Sequence, residues 1–168
     1  MLARLARPTI ALALALGLGG CFQPLHGGAL SGSADVLAQI EVMPITGHLG
    51  HQVKSELDFV LNNGRPPENP QYRLTVRTNP SVGSVVADSV GGRPQVMTLV
   101  VSANYQLVAI KDGRSISFGT ATSNASFDRT QQRFATTRAT VDAEIRSAKV
   151  LAEQIKARII PDLFAPKS

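Results

Sequence analysis

The sequence predicts an α+β fold: a two-layer sandwich with a mainly antiparallel sheet of about four strands, covered on one face by two helices. Apolar side chains recur at the spacing of one helix face in residues 49–61 and 141–159. Between these segments, residues 72–77, 97–109 and 115–127 alternate apolar and polar side chains, as strands with one buried face do. A sheet with one apolar face must pack against another layer, and two amphipathic helices supply that layer.

The first elements are predicted between residues 36 and 70. Residues 36–43 are expected to form a strand that ends at Pro44. Residues 62–64 (Asn-Asn-Gly) predict a helix end, because Asn and Gly tolerate the left-handed backbone found there. Residues 65–70 contain three prolines and are expected to form a loop. The helix before that loop is predicted from apolar residues spaced by four, at Leu49, Val53, Leu57 and Leu61.

The strands of the sheet are predicted from residue 72 onwards. Residues 72–77 form one strand, and residues 82–90 are compatible either with its extension or with a loop over the sheet. Residues 97–109 alternate over a long stretch and predict a second strand. Asp112-Gly113 predicts a type I′ hairpin turn, which leads into a return strand over residues 115–127, with Gly119 as a candidate bulge.

The C-terminal third of the chain is predicted to be one amphipathic helix. Charged residues occupy much of its remaining surface, and Pro161 is expected to stop it. Its apolar face is built from residues spaced by three and four, namely Val141, Ile145, Ala148, Ala152, Ile155 and Ile159.

The N-terminus has the three-part layout of an export signal. Two basic residues, Arg4 and Arg7, precede an uncharged apolar run over residues 10–18. That run is shorter than the roughly 20 residues that a membrane-spanning helix needs. It ends in Leu18-Gly19-Gly20 before Cys21, the single cysteine of the chain. Small residues followed by cysteine indicate a lipoprotein signal, cleaved before Cys21, and the thiol and the freed amine of Cys21 then carry acyl chains.

Three parts of the chain follow from this interpretation. Residues 1–20 are the signal peptide, residues 21–34 are a lipidated flexible tether rich in Gly and Ser, and residues 35–168 are a single domain. Two or more acyl chains anchor a protein stably. Phe22 follows the cysteine in place of an acidic residue that would suggest retention in the inner membrane. We therefore expect a lipid anchor in the outer membrane, facing the periplasm.

Charge and cysteine content exclude several classes of protein. Removing the signal peptide takes away two arginines, so the formal net charge falls from +5 to +3 over the 148 remaining residues. This mildly basic balance does not predict a nucleic-acid-binding protein. Because the single cysteine is acylated, stability must come from packing and not from a disulfide.

Several short motifs follow one another along the chain. They are residues 21–27 (Cys-Phe-Gln-Pro-Leu-His-Gly), 49–53 together with Glu56-Leu57, 72–76, 103–108, 119–121 and 134–135. Taken together, these motifs resemble the lipopolysaccharide (LPS)-assembly lipoprotein family, LptE, in the form found in alphaproteobacteria. The first is similar to the family's Cys-Gly-Phe-x-Pro-Leu-Tyr-Gly start, although the glycine is missing and His26 stands where the family often has Tyr. The others resemble, in order, its first helix, its second strand, its hairpin and the approach to its last helix.

The resemblance implies a non-enzymatic role without a metal or a cofactor other than the covalent lipid on Cys21. Family members occupy the lumen of an outer-membrane β-barrel, LptD, as its plug and assembly partner. LPS, whose lipid A carries phosphates and acyl chains, passes through that complex to the cell surface and binds the lipoprotein. Two alternatives remain open: an accessory lipoprotein of an ABC-type lipid transport system, and a lipid-tethered periplasmic hydrolase.

Candidate contacts with LPS or the barrel follow from the chemistry of arginine, whose planar guanidinium makes bidentate hydrogen bonds to phosphate oxygens. Arg73 and Arg77 share the polar face of one predicted strand, and Arg93, Lys111 and Arg114 lie near strand ends. A solvated polar face is the simpler interpretation of each arginine taken alone. The outer face of the hairpin is uncharged over its centre, which suits packing in a polar lumen as well as exposure; it comprises Thr98, Ser102, Asn104, Thr120, Thr122 and Asn124.

No catalytic or metal-binding pattern is evident in the sequence. His48 and His51 lie three apart on the first predicted helix, a spacing that metal sites use, but no third ligand accompanies them. Surface histidines are the simpler interpretation. Serines occur in strands and loops without the turn that presents a nucleophile. Hydrolase activity would therefore require a histidine, a carboxylate and a serine that only the tertiary structure brings together.

Overall fold

The computed structural model describes residues 35–87 and 94–165 of the chain. The predicted signal peptide, the tether with Cys21, and Arg93 lie outside the described residues. Four strands form one sheet in the order β1-β2-β3-β4; β1 runs parallel to β2 and the other pairs are antiparallel. The elements in chain order are β1 (Ile40–Val42), α1 (His48–Asn62), β2 (Tyr72–Ala87), β3 (Pro94–Ala109), β4 (Ser115–Asp128) and α2 (Arg133–Phe164).

The predicted α+β sandwich is confirmed, because both helices cover the same face of the sheet. The four apolar residues predicted for α1 are buried, and α2 packs against α1, β3 and β4. On the strands, buried residues alternate with exposed ones: Leu99, Val101 and Ala103 face the helices. The apolar face of α2 is rotated slightly from the prediction, since Ser147 and Leu151 are fully buried whereas Val141 is half-buried.

The first strand is shorter than predicted. Residues 35–37 are helical, and the N–H of Gln39 donates to the carbonyl of Val36 at 3.1 Å in a turn. Only Ile40–Val42 pairs with β2. Leu37 nevertheless joins the core, so its hydrophobicity reflects burial in a helical turn and not in a strand.

The end of α1 was predicted correctly, and the structure adds a tertiary contact. Asn63 has a φ of 53°, the left-handed conformation expected at a helix C-terminus. The preceding Asn62 is buried, and its side-chain amide donates to the carbonyl of Ile40 at 2.9 Å. Asn62 therefore joins the end of α1 to β1.

The prediction that Pro161 stops the last helix is wrong. Helix α2 begins at Arg133 and continues through Pro161 to Phe164. Proline removes one backbone hydrogen bond and crowds the preceding turn. Ile160 and Leu163 pack against the core on either side of Pro161, and this burial offsets the lost bond for one further turn.

Two details of the β3–β4 hairpin also differ from the prediction. A type I′ turn needs two residues with positive φ. Among the residues of this loop, Gly113 alone has a positive φ, of 69°. Residues 110–114 form a longer connection, in which the N–H of Gly113 donates to the carbonyl of Ala109 at 2.9 Å. The bulge falls between Leu107 and Val108 opposite residues 115–117, and not at Gly119.

Gly119 has a packing role instead. It pairs with Tyr105 across β3 and β4, on the face that the helices cover. A Cβ atom at this position would lie 3.0 Å from the Tyr105 hydroxyl and 3.3 Å from its ring. The absent side chain therefore makes room for the tyrosine.

The ambiguous stretch over residues 82–90 extends the sheet as far as Ala87, and residues 88–90 lie outside the described residues. Strand β2 runs to Ala87 and pairs continuously with β3 from Tyr72 to Ser84. Residues 79–84 are exposed on both faces, whereas their β3 partners Leu99 and Val101 are buried. The helix layer therefore covers β3 but not β2 at this end of the sheet.

Candidate functional site

The candidate site is the face of the sheet opposite the two helices, which we call the open face. It is built from the side chains that alternate with the core residues along β2, β3 and β4. The predicted sharing of one polar face by the hairpin residues is confirmed by the strand register. The side chains of the open face include Arg73, Thr75, Arg77, Ser102, Asn104, Gln106, Phe118, Thr120, Thr122 and Asn124.

Two neighbouring rows of side chains define the centre of this face. Arg77, Asn104 and Thr120 lie side by side across the three strands, and the Thr120 hydroxyl donates to the Asn104 side-chain oxygen at 2.7 Å. The next row contains Thr75, Gln106 and Phe118. Both rows line a shallow depression in which an arginine, two amides and a phenyl ring are accessible together.

The two arginines of β2 differ in their electrostatic surroundings. The Arg73 guanidinium lies 3.8 Å from the carboxylate of Glu41, which sits in register with it on β1. Arg77 forms no ion pair with any described residue. Its exposed positive charge is therefore available to an anionic group from outside the chain.

Phe118 lies on the open face but was not among the contact residues predicted from the sequence. Its side chain is 78% exposed, although it is one of the larger apolar groups in the protein. The alternation of β4 already contained the signal, because Phe118 has the parity of the polar residues Thr120 and Thr122 that follow it. Phe134 on α2 is exposed to a similar extent, at 76%, so exposure alone does not distinguish Phe118. What distinguishes it is its position in the depression beside Arg77.

The remaining predicted contact residues lie elsewhere. Lys111 and Arg114 belong to the loop between β3 and β4, at the end of the sheet where β2 begins. Arg114 lies 4.0 Å from the carboxylate of Asp112, and its backbone N–H donates to the same side chain at 3.1 Å. The structure thus brings Arg73, Arg77 and Asn104 onto one surface and separates Lys111 and Arg114 from it.

The histidines form no metal cluster in the part of the chain that the structure describes. Nδ1 of His48 lies 2.6 Å from a carboxylate oxygen of Glu144, which ties the start of α1 to α2. No hydroxyl group of a described residue bonds the His48 ring. Within residues 35–87 and 94–165, no three His, Cys, Asp or Glu side chains converge, and no helix is long and apolar enough to cross a membrane.

Comparison with known proteins shows a shared fold. No protein-family model matches the sequence, and no curated protein matches it either. The crystal structure of a protein classed as a lipoprotein, from Caulobacter crescentus CB15, has a TM-score of 0.67 and 24% identity, covering 81% of this chain and 98% of that one. A minor lipoprotein from Acinetobacter baumannii has a TM-score of 0.56 and 17% identity, covering 75% of this chain and 93% of its own. At these identities the similarity concerns the fold.

Proposed function

We propose that this protein is an outer-membrane lipoprotein of the LptE type. It is anchored through acyl chains on Cys21, partners an LptD-type β-barrel as its plug, and helps to deliver LPS to the cell surface. The lipoprotein signal and the segments that resemble the LptE family support this proposal, and so does the fold shared with two lipoproteins. The role is non-catalytic and uses no cofactor beyond the covalent lipid.

The observation that carries the proposal is the open face. The lumen of an outer-membrane barrel is polar. A plug surface must therefore offer hydrogen-bonding groups without burying unpaired charges, which is costly. Along β3 and β4 the open face offers hydroxyl and amide groups from Ser102, Asn104, Thr120 and Thr122, whereas its arginines are confined to β2. Such a surface is suited to packing against a polar wall.

The depression beside Arg77 is suited to a glycolipid. A guanidinium group binds phosphate oxygens bidentately, and hydrogen bonds to a charged partner are about twice as strong as neutral ones. Phe118 supplies apolar surface in the same depression. A molecule that carries both phosphate and acyl chains, as lipid A does, complements both groups at once.

Co-purification tests the partner. The tagged full chain is extracted from its native membranes in mild detergent, and the co-purifying chains are identified by mass spectrometry. We expect one large outer-membrane barrel in a stoichiometric amount. Recovery of inner-membrane transporter components instead would support the accessory-lipoprotein alternative, and recovery of neither would contradict the proposed role.

LPS binding tests the depression. We expect Arg77→Glu to weaken binding to immobilised LPS by about tenfold, since a lost charged hydrogen bond is worth at least about 1.5 kcal/mol. The matched control is Lys149→Glu, which makes the same change of charge on the exposed surface of α2. Equal losses in both variants would mean that LPS responds to net charge and not to this site.

A further inference from the structure

The edges of the sheet are protected unequally. An edge strand presents unpaired N–H and C=O groups, which can pair with another chain. Along β4, side chains of α2 bind these groups. The Gln154 amide accepts a hydrogen bond from the N–H of Thr122 at 3.3 Å and donates one to its carbonyl at 3.0 Å. Arg146 donates to the carbonyl of Ser126 at 2.9 Å, and Arg158 donates to that of Thr120.

Among the described residues, the opposite edge is covered only at its start. Strand β1 pairs with β2 from Tyr72 to Leu74, and the N–H of Met43 donates to the carbonyl of Leu74 at 2.9 Å. The buried Asn62 amide in turn caps the carbonyl of Ile40 on β1. Beyond Leu74, no other strand of the described residues lies beside β2 on this side.

Residues 76–84 of β2 therefore form what we call the free edge. Backbone groups alternate in direction along a strand, and the Leu74 carbonyl points away from β3. The same direction applies to the N–H and C=O groups of Val76, Thr78, Val82 and Ser84, because the register with β3 is unbroken there. These groups have no backbone hydrogen bond within the described residues. Pro80 lacks an N–H at an outward position, which is where edge strands tolerate proline.

The charges beside this edge specify the chemistry of a pairing strand. Glu41 on β1 lies next to Arg73 on the open face. Arg77 occupies the equivalent position four residues further along the same strand, where β1 has already ended and no described carboxylate pairs with it. A strand that continued the position of β1 would satisfy Arg77 if it carried an acidic residue there.

We propose that the free edge of β2 accepts an extended segment of a partner protein, which adds a strand to the sheet and places a carboxylate beside Arg77. Main-chain hydrogen bonds provide affinity in this mode of binding, and alternate side chains provide specificity. A second copy of β2 would not supply the carboxylate, because Tyr72–Ala87 contains no acidic residue, and neither would residues 21–34 of the chain. The free edge would accept such a segment whether or not the partner is a barrel.

Photo-crosslinking of the full chain in cells tests the location. A benzophenone amino acid replaces Asn79, which is exposed beside the free edge, or Asn124, which is exposed on the open face of β4. We expect position 79 to crosslink to one extended segment with an acidic residue within two positions of the attachment point. Position 124 should yield less than about a tenth as much product. A product with a second copy of this chain, a segment without an acid, similar yields or no product would each overturn the proposal.

Two substitutions test the mechanism of pairing. Thr78→Pro removes an outward N–H, and Arg77→Glu opposes the carboxylate; each should lower the crosslink yield by about tenfold. Changing the partner's acidic residue to lysine should restore pairing with Arg77→Glu. The matched control Arg114→Glu makes the same change of charge away from the edge and should leave the yield unchanged. Equal losses with Arg114→Glu, or no loss with Thr78→Pro in a protein of unchanged thermal stability, would refute strand addition.

Discussion

The two faces of the sheet have opposite chemistry although they are built from the same three long strands. The covered face presents Leu74, Val101 and Leu107 to the helices, and these side chains are almost fully excluded from solvent. The open face presents Arg77, Asn104 and other polar groups at the intervening positions. Because the side-chain period of a strand is two, one face can be devoted to stability while the other remains free to interact.

The largest effect on stability is expected for a substitution on the covered face. Leu107→Ala should lower the free energy of unfolding by about 2–5 kcal/mol, because the fully buried side chain leaves a cavity in the core. Gln106→Ala, at the exposed neighbouring position, should change it by less than about 0.5 kcal/mol. Urea unfolding of both variants measures the contrast. Similar losses would mean that both faces contribute to the packed core.

The second-largest effect on stability is expected in the helix layer, at Gly50. Alanine normally stabilises a helix by about 1 kcal/mol relative to glycine. At Gly50, however, a Cβ atom would lie 2.7 Å from Cγ2 of Ile45 and 2.9 Å from its carbonyl atoms. We expect Gly50→Ala to destabilise the protein by about 1–3 kcal/mol in thermal unfolding. Gly83→Ala, where the added atom meets nothing within 4 Å, is the control and should be nearly neutral; a stabilised Gly50→Ala would contradict the close packing.

A smaller effect concerns the protected edge. Gln154→Ala should cost about 1 kcal/mol, since it leaves the N–H and C=O of Thr122 without their side-chain partner. It should also increase self-association in analytical ultracentrifugation, because it exposes part of an edge strand. Lys149→Ala on the exposed surface of α2 controls for loss of a side chain from the same helix. Unchanged stability and association in Gln154→Ala would show that Arg146 and Arg158 protect the edge without it.

The smallest effect on stability is expected for a substitution on the open face, at Phe118. Phe118→Ser should change the free energy of unfolding by less than about 0.5 kcal/mol, because the ring is exposed and makes little contribution to the core. The same variant should lose LPS binding if the ring serves the proposed depression. Denaturant unfolding and LPS binding are measured on one preparation. A loss of stability above about 1 kcal/mol would mean that the ring packs within the protein.

Several local predictions failed where a tertiary contact outweighed a local preference. Pro161 lies inside α2 because Ile160 and Leu163 are packed against the core on either side of it. Gly119 looked like a bulge, yet it provides space for Tyr105 on the neighbouring strand. Propensity describes the isolated segment, and it cannot anticipate a neighbour that lies fourteen residues away along the chain.

The candidate site was predictable only in part, because strand parity is a local property whereas the docking of a helix is not. Alternation along β2 and β3 indicated that Arg73, Arg77 and Asn104 point away from the core, because this parity is a local property of each strand. The side-chain caps on β4 were not predictable. Arg146, Gln154 and Arg158 have the spacing of one helix side, but only the docking of α2 brings that side to a strand edge.

The sequence by itself determined the periodicities, and with them the two helices, the polarity of each strand face and the α+β class. It also contains the N-terminal pattern and the single cysteine from which the proposed export signal and anchor are inferred. Tertiary structure alone decided which strand edge is capped and which has no partner strand among the described residues. It also decided that Glu41 pairs with Arg73, while Arg77 has no described carboxylate beside it. The reason is that periodicity is set by backbone geometry within one segment. The environment of an edge is set by segments that are distant in sequence.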